Sequence, residues 1–399
     1  MKTKRLYYTD SILLAFKSRI VEVREEDNKF ITILEKTAFY PTSGGQQHDI
    51  GLLHSIEVVD VIDGDQILHI TNEPVGKVGE IVSGMINYKR RQKNKQQHSA
   101  QHILSQAFYR LYKLETKSVH LGENYGNIEF ETKEITDTQV QKAEILANQV
   151  IQENREVKPL LVQSEHLGKY NLRRPTDRTG EIRLIEIDDF ECSACGGTHV
   201  HKTSEIQLIK IISTEKIRGR VAINFFSGQQ AIDDYRIRFA VSNSIAQNLT
   251  CSVEDIESHF DKIVESNKLL KREVTLLQKE LMPQYIENLL NQVEVVQGIN
   301  VIFTLENRFD KNNINQFALT LAEKCNGIAV LLYKDKIILS CAENTQLHAG
   351  EFAKKLSVQT SLKGGGNKNI AQLGTTVEKD FELYKTKIAE IIAIGKNEN

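Results

Sequence analysis

A chain of 399 residues with 51 Lys and Arg against 53 Asp and Glu is nearly neutral, at a net charge of -2, and is long enough for two or three domains with separate cores. The basic start, Met1-Lys2-Thr3-Lys4-Arg5, is followed by a broken pattern rather than a secretory apolar region, and nothing argues for membrane insertion, so a cytoplasmic protein is expected. Five cysteines, an odd number at low density, exclude a disulfide framework and fit a reducing compartment.

Residues 1–90 read as short strands with turn signals, including Asp63-Gly64 between Val58 to Ile62 and Ile67 to Ile70, which predicts a small β-barrel. Residues 91–230 mix helices and strands. Ala100, Ile103, Leu104, Ala107, Leu111 and Leu114 recur at helical spacing, and a second helix opens at a Thr136…Gln139 capping box. Strands are predicted at Glu181 to Asp188, Glu205 to Ile212 and Val221 to Phe226, so this region is α+β rather than doubly wound. Residues 231–295 are helical. Ile256, Phe260, Ile263, Asn267, Leu270, Val274, Leu277 and Leu281 alternate steps of four and three, the seam of a coiled coil, with Pro283 expected to end or bend the helix. The alternative is a helical hairpin in which Ile286, Leu289 and Leu290 fold back. Residues 296–399 show apolar strands at 301–305, 328–332 and 337–339, a helix near His348 to Leu356, the triplet Gly364-Gly365-Gly366 and a C-terminal helix, the pattern of a small α/β domain.

Two half-motifs carry the chemistry. His98 and His102 stand at i, i+4 on the first predicted helix and share one face. Cys195-Gly196-Gly197-Thr198-His199 follows a strand, and its glycines let the chain turn so that Cys195 and His199 converge. Three imidazoles and one thiolate suit one Zn2+. Ser99 stands where a zinc protease would need a glutamate base, which excludes that class. A closed four-ligand site with a purely structural zinc is the alternative to a functional one. Cys192 is assigned a spectator or supporting role. Basic residues cluster at Lys89, Arg90, Arg91, Lys93 and Lys95 and again at Arg173, Arg174, Arg178 and Arg183, beside the two half-motifs. Each cluster is either a solvated face or a phosphate attractor, with Arg91 and Lys93 as candidate RNA contacts. The glycine triplet between Lys363 and Lys368 offers close backbone approach and positive charge, which suits an RNA backbone at Lys363, Gly364, Gly365, Gly366 and Lys368.

Arg91 with Gln97 to Ser105, and Ser193 to Val200, resemble the zinc signatures of the editing domain of alanyl-tRNA synthetase and of its stand-alone relatives, the alanyl-tRNA trans-editing proteins. Thr37 to Gln46 is similar to the glycine-glycine-glutamine segment of the same family, and the triplet region resembles its DHH-associated domain. The resemblance implies an α+β chain in four parts: a β-barrel (1–90), a zinc-binding editing domain (91–230), a helical or coiled-coil linker (231–295) and a DHH-associated domain (296–399). It implies hydrolysis of mischarged tRNA-Ala, bearing serine and also glycine, with Thr37 reading the serine hydroxyl and Gln46 meeting the substrate or its attacking water. An aminoacyl ester is already activated, so a positioned water and an orienting metal suffice. Without a visible aminoacylation motif the chain is expected to act in trans, and as a homodimer through 256–281 and the C-terminal domain. The competing readings are a non-catalytic, zinc-stabilised RNA-binding module and an editor of threonyl-tRNA.

Overall fold

The computed structural model describes residues 2–217, 219–360, 362–374 and 381–395. Residues 361, 375–380 and 396–399 of the domain expected at 296–399 therefore lie outside the described residues. The chain divides into two compact units, Met1–Ser244 and Ile245–Asn399. The barrel and the region expected as a separate editing domain share the first.

In the first unit β1 (Lys4–Arg5) pairs in parallel with β4 (Lys36–Thr37). A closed barrel is formed by β2 (Ala15–Glu26), β3 (Lys29–Leu34), β5 (Gly51–Leu53), β6 (Ile56–Ile62), β7 (Leu68–Thr71) and β8 (Ile81–Ile86), in the order β2-β3-β7-β6-β5-β8. Alternation makes it: Phe16, Ser18 and Ile20 of β2 and Val82, Gly84 and Ile86 of β8 point inward. Phe16 lies opposite Gly84, where a Cβ would come within 2.3 Å of its ring, so glycine makes room for the aromatic. The barrel and the Asp63-Gly64 turn are thus where the residue pattern puts them.

Helix α1 (Tyr88–Tyr112) begins at Asn87, whose side chain accepts from Arg90 N, and ends at Lys113 in the left-handed region. Every residue from Asn94 to Phe108 is buried, polar ones included, so α1 is an encased central helix and not an amphipathic surface one. Around it lie β9 (Thr116–Leu121), β10 (Gly126–Phe130), α2 (Asp137–Gln152), β11 (Val157–Gln163), β12 (Glu181–Ile187), β13 (Glu191–Ala194), β14 (Ile209–Ile217) and β15 (Arg220–Ser227). They form a sheet β14-β15-β10-β9 and a smaller one β11-β12-β13. The capping box of α2 is present, with Thr136 and Gln139 bonded reciprocally. The strand predicted over 205–212 is corrected: Thr203–Ile206 is a tight 3-10 turn, because the Glu205 carboxylate accepts from the N–H groups of His201 and Lys202. Gln207 at φ 69° then breaks the chain before β14. Helix α3 (Gln229–Leu249) runs across the division between the two units.

In the second unit α4 (Ile256–Leu290) is one continuous helix through Pro283, so of the end or bend expected there the end does not occur, and the folded-back hairpin is overturned. Pro283 lies on the exposed side, so the carbonyl it leaves unbonded faces water, while Met282, Ile286 and Leu289 are held in a cluster with Phe309 and Phe317. A sheet follows from β16 (Glu294–Val296), β17 (Ile299–Leu305), β18 (Gly327–Tyr333), β19 (Lys336–Cys341), β20 (Lys363–Gly366) and β21 (Ile370–Gly374), in the order β16-β17-β18-β19-β21-β20. The end of α4 and α5 (Ile314–Cys325) contribute to one core cluster with this sheet, and α6 (Ala349–Thr360) and α7 (Phe381–Gly395) to the other. Helix α5 was not among the predicted elements. It crosses between β17 and β18, the one parallel pair among the described strands of this sheet, so the domain expected as α/β has a mainly antiparallel sheet.

The glycine triplet is an edge strand rather than a turn. A Cβ at Gly364 would lie 2.0 Å from Gln372 O and one at Gly366 2.2 Å from Ile370 O, whereas Gly365 faces open space. Lys363 and Lys368 beside it are exposed. Among the described residues no helix is long and apolar enough to cross a membrane, and all five cysteines are free.

Candidate metal centre

One turn of α1 brings His98 and His102 onto the same face, and the loop after β13 delivers Cys195 and His199 to it. The ligand atoms of these four residues lie within 4.8 Å of one another. Cys195 Sγ stands 3.4 Å from His98 Nε2 and 3.3 Å from His199 Nε2. A tetrahedral zinc with ordinary Zn–N and Zn–S bonds needs ligand separations of about 3.4–3.8 Å, so the cluster fits such an ion.

Each imidazole is aimed by a partner on its far nitrogen. His98 Nδ1–H donates to Gln46 Oε1 over 2.8 Å, His102 Nδ1–H points at the Glu191 carboxylate at 3.2 Å, and His199 Nδ1–H donates to Ser99 Oγ over 3.1 Å. All three Nε2 atoms are left for a metal, the arrangement that fixes tautomer and raises ligand basicity. Glu191 is itself buried, paired with Arg173 at 3.1 Å and bonded by Ser193. Burial alone would lower His102, but Glu191 and then Cys195 override it and raise the imidazole to about 9, so a metal bound at Nε2 would displace a proton there. Burial would likewise raise Cys195, yet the neighbouring His98 and His199 hold its thiol well below the ordinary value, which favours the ligating thiolate. Gly197 N–H also points at its sulfur, at 3.4 Å. Cys192 lies outside the cluster in a small apolar core, and burial beside Glu191 and Glu186 pushes its thiol up to about 12.

The turn that places Gln46 explains its two glycines. Ser43 and Gln46 exchange backbone hydrogen bonds across Gly44 and Gly45, both at positive φ (56° and 83°), the requirement of a type I′ turn. Leu121 N then bonds Gly45 O and ties the turn to β9. Gln46 is buried and bonded at both ends of its amide: Oε1 also accepts from Thr198 N–H and Nε2 donates to Thr198 Oγ1. These bonds orient His98 and the ligand loop, so the structure places Gln46 behind the candidate ligands.

Thr37 is not brought into the site. It is fully buried, accepts from Phe39 N–H and donates to His69 Nε2 over 2.8 Å, while His69 Nδ1–H donates to Thr32 O. Its hydroxyl is spent inside the barrel, which corrects the serine-reading role expected for it. Arg91 is corrected as an RNA contact for the same kind of reason. It is 1% exposed and its guanidinium is taken up by Asp49, Ser11 O and Ala38 O, bolting α1 to the barrel. Lys93 is half-buried with its ammonium on Glu123 O.

A cleft of about 500 Å³ opens over the cluster. His98, His102 and Cys195 reach it from one side and Tyr8, Tyr40, Ser43 and Asp63 from the barrel side. Arg183 clamps the ligand loop by donating to Cys195 O, Gly197 O and Tyr8 O. Glu191 and Arg183 were missed as site residues. A carboxylate four positions before Cys195 was the available signal for the first, while Arg183 was read with its cluster as either a solvated face or a phosphate attractor.

Residues 182–221, which include Cys195 and His199, match the model of the "Threonyl and Alanyl tRNA synthetase second additional domain", and residues 298–393 match the DHHA1 domain. The alanine–tRNA ligase of Pyrococcus furiosus is 30% identical over 98% of this chain and 43% of its own length; that of Saccharolobus islandicus is 29% identical over 98% and 44%. The chain thus spans less than half of these ligases. The alanyl-tRNA editing protein AlaX-L of Pyrococcus horikoshii is 27% identical over 97% of this chain and 98% of its own. A solved RecJ from Thermus thermophilus covers 36% of this chain and 21% of its own at 17% identity with a TM-score of 0.25, too slight a likeness to bear on fold. Over nearly all of its length the chain is similar to the long alanyl-tRNA editing protein and to the corresponding part of alanine–tRNA ligases, and it combines the second additional domain of the threonyl and alanyl synthetases with a DHHA1 domain.

Proposed function

We propose that this chain deacylates mischarged tRNA-Ala, hydrolysing the ester that joins serine, and also glycine, to the terminal ribose, with one zinc at His98, His102, Cys195 and His199. The observation that carries the reading is an open cleft over a buried cluster whose three histidines are each aimed from behind. The end-to-end similarity to a long editing protein supports it. Bound zinc would supply a Lewis acid or an anchor for the substrate. The chain's own residues do the rest: Gln46, Glu191 and Ser99 hold the imidazoles, Gly197 N–H and Arg183 fix the thiolate loop, and the cleft walls confine the ester.

The test is deacylation of Ser-, Gly- and Ala-charged tRNA-Ala by full-length protein as purified, after chelation and after zinc is restored. Hydrolysis of the first two, lost on chelation and recovered with zinc, is the expected result. A zinc-loaded protein that deacylates none of them would leave a structural metal in an RNA-binding module. Threonyl-tRNA serves as the remaining substrate, since the matched family model names both synthetases.

Two further roles belong to the second unit. Lys363, Gly364, Gly365, Gly366 and Lys368 present an exposed basic strand edge for RNA backbone. Phe260, Ile263, Leu270, Val274, Leu277 and Leu281 stand exposed along α4, the seam through which a second copy would pair. Sedimentation of wild type and of Leu270→Asp tests the latter.

A further inference from the structure

Of the two basic runs, the one leading into α1 is largely consumed within the fold. Arg90 binds Glu123 at 2.8 Å, Arg91 binds Asp49, Lys93 caps Glu123 O, and Lys95 is buried 4.0 Å from Glu205, which leaves Lys89. The run over 173–178 is different. Its loop is tied at both ends, by Arg173 N–H on Cys192 O and by the backbone and side-chain bonds between Ser164 and Gly180. Arg173 is anchored on Glu191, and Pro175 restricts the backbone between the arginines. Arg174 and Arg178 line the mouth of the metal cleft, are exposed, and have no side-chain partner among the described residues. The acid of the rim, Asp63, is already paired with Arg5 at 2.9 Å.

We infer that Arg174 and Arg178 grip the RNA phosphates next to the terminal aminoacylated nucleotide, an inference that rests on the proposed deacylation. A cleft of about 500 Å³ has room for an aminoacyl nucleoside, and the phosphodiester chain leading to it must then leave across the rim. Two free guanidinium forks held on a loop fixed at both ends match that chemistry, because arginine reads phosphate oxygens in pairs and a pre-set loop loses little entropy on binding. The same loop carries Arg173, whose partner Glu191 holds His102, so the phosphate grip and the metal ligands share one support.

The probe is tRNA-Ala carrying serine through a 3′-amide, which resists hydrolysis, titrated into zinc-loaded full-length protein at several salt concentrations. Wild type is compared with Arg174→Gln, Arg178→Gln and the double variant, with zinc content measured on each. The double variant is expected to keep one zinc, to bind about tenfold or more weakly at low salt and to lose about 1.4 from the slope of log affinity against log salt, about 0.7 per lost contact. Single-turnover hydrolysis of the ester at saturating enzyme should stay within about twofold of wild type. A double variant with wild-type affinity and slope overturns the inference and leaves the deacylase reading standing. A wild type that binds the amide probe but hydrolyses no charged tRNA overturns the deacylase reading instead.

Discussion

A Cβ built on Gly197 would lie 2.1 Å from Cε1 and 2.2 Å from Nδ1 of His98, so the ligand loop passes against the imidazole at a distance that only glycine allows. The second glycine of the Cys-Gly-Gly-Thr-His motif thus serves packing against the first half-motif as much as the turn. Gly197→Ala must push either His98 or the loop. Metal analysis should then find less than about half an equivalent bound, with the melting of the second unit unchanged; a full equivalent would show that the loop yields at no cost to the site.

Gln46 holds His98, one of the proposed ligands, so its substitution should appear first in metal affinity. Gln46→Leu removes the acceptor for His98 Nδ1–H and for Thr198 N–H and is expected to weaken zinc by about 10–100-fold. Gln46→Glu keeps an acceptor and should lose less. Competition with a chromogenic chelator checks both. Zinc affinity equal to wild type in Gln46→Leu would return this residue to the substrate.

Cys195 and Cys192 separate cleanly. Cys195→Ala deletes a proposed ligand whose thiol is held low, whereas Cys192→Ala removes a thiol pushed up to about 12 and with it an apolar contact. The first should lose zinc and the second keep it, with a cost of about 1 kcal/mol in the stability of the small core. Elemental analysis after gel filtration decides.

Thr37→Val leaves Phe39 N–H and His69 Nε2 buried without partners and should destabilise the barrel by about 2–4 kcal/mol, read by thermal denaturation. Unchanged stability together with lost serine selectivity would place its hydroxyl in the cleft after all.

His69 makes the same relay sensitive to acid. Burial lowers it from 6.5 to about 4, against a smaller opposing effect of the Thr32 carbonyl. The unfolded chain therefore takes up a proton first as pH falls. Stability is complete above about 6.5 and declines between 6.5 and 4 by about 3 kcal/mol. His69→Gln should flatten that part of the stability curve relative to wild type; parallel curves would assign the acid sensitivity elsewhere.

The residue order alone singled out the four side chains that converge at the candidate metal site, the barrel with its Asp63-Gly64 turn and the capping box of α2. Ligand spacing, strand alternation and capping are local codes, written within one turn of helix or a few residues of strand. Only tertiary contact decided what Gln46, Arg91, Thr37 and Glu191 do. Gln46 meets Thr198 across 152 positions and His98 across 52, Arg91 meets Asp49 across 42, and His102 meets Glu191 across 89. A polar side chain has the same letter whether it faces water, a phosphate or a buried partner, and burial together with the opposing atom sets its chemistry. Pro283 shows the same division. Its ring is a local argument for a break, and packing of Met282, Ile286 and Leu289 beneath an exposed proline outweighs it.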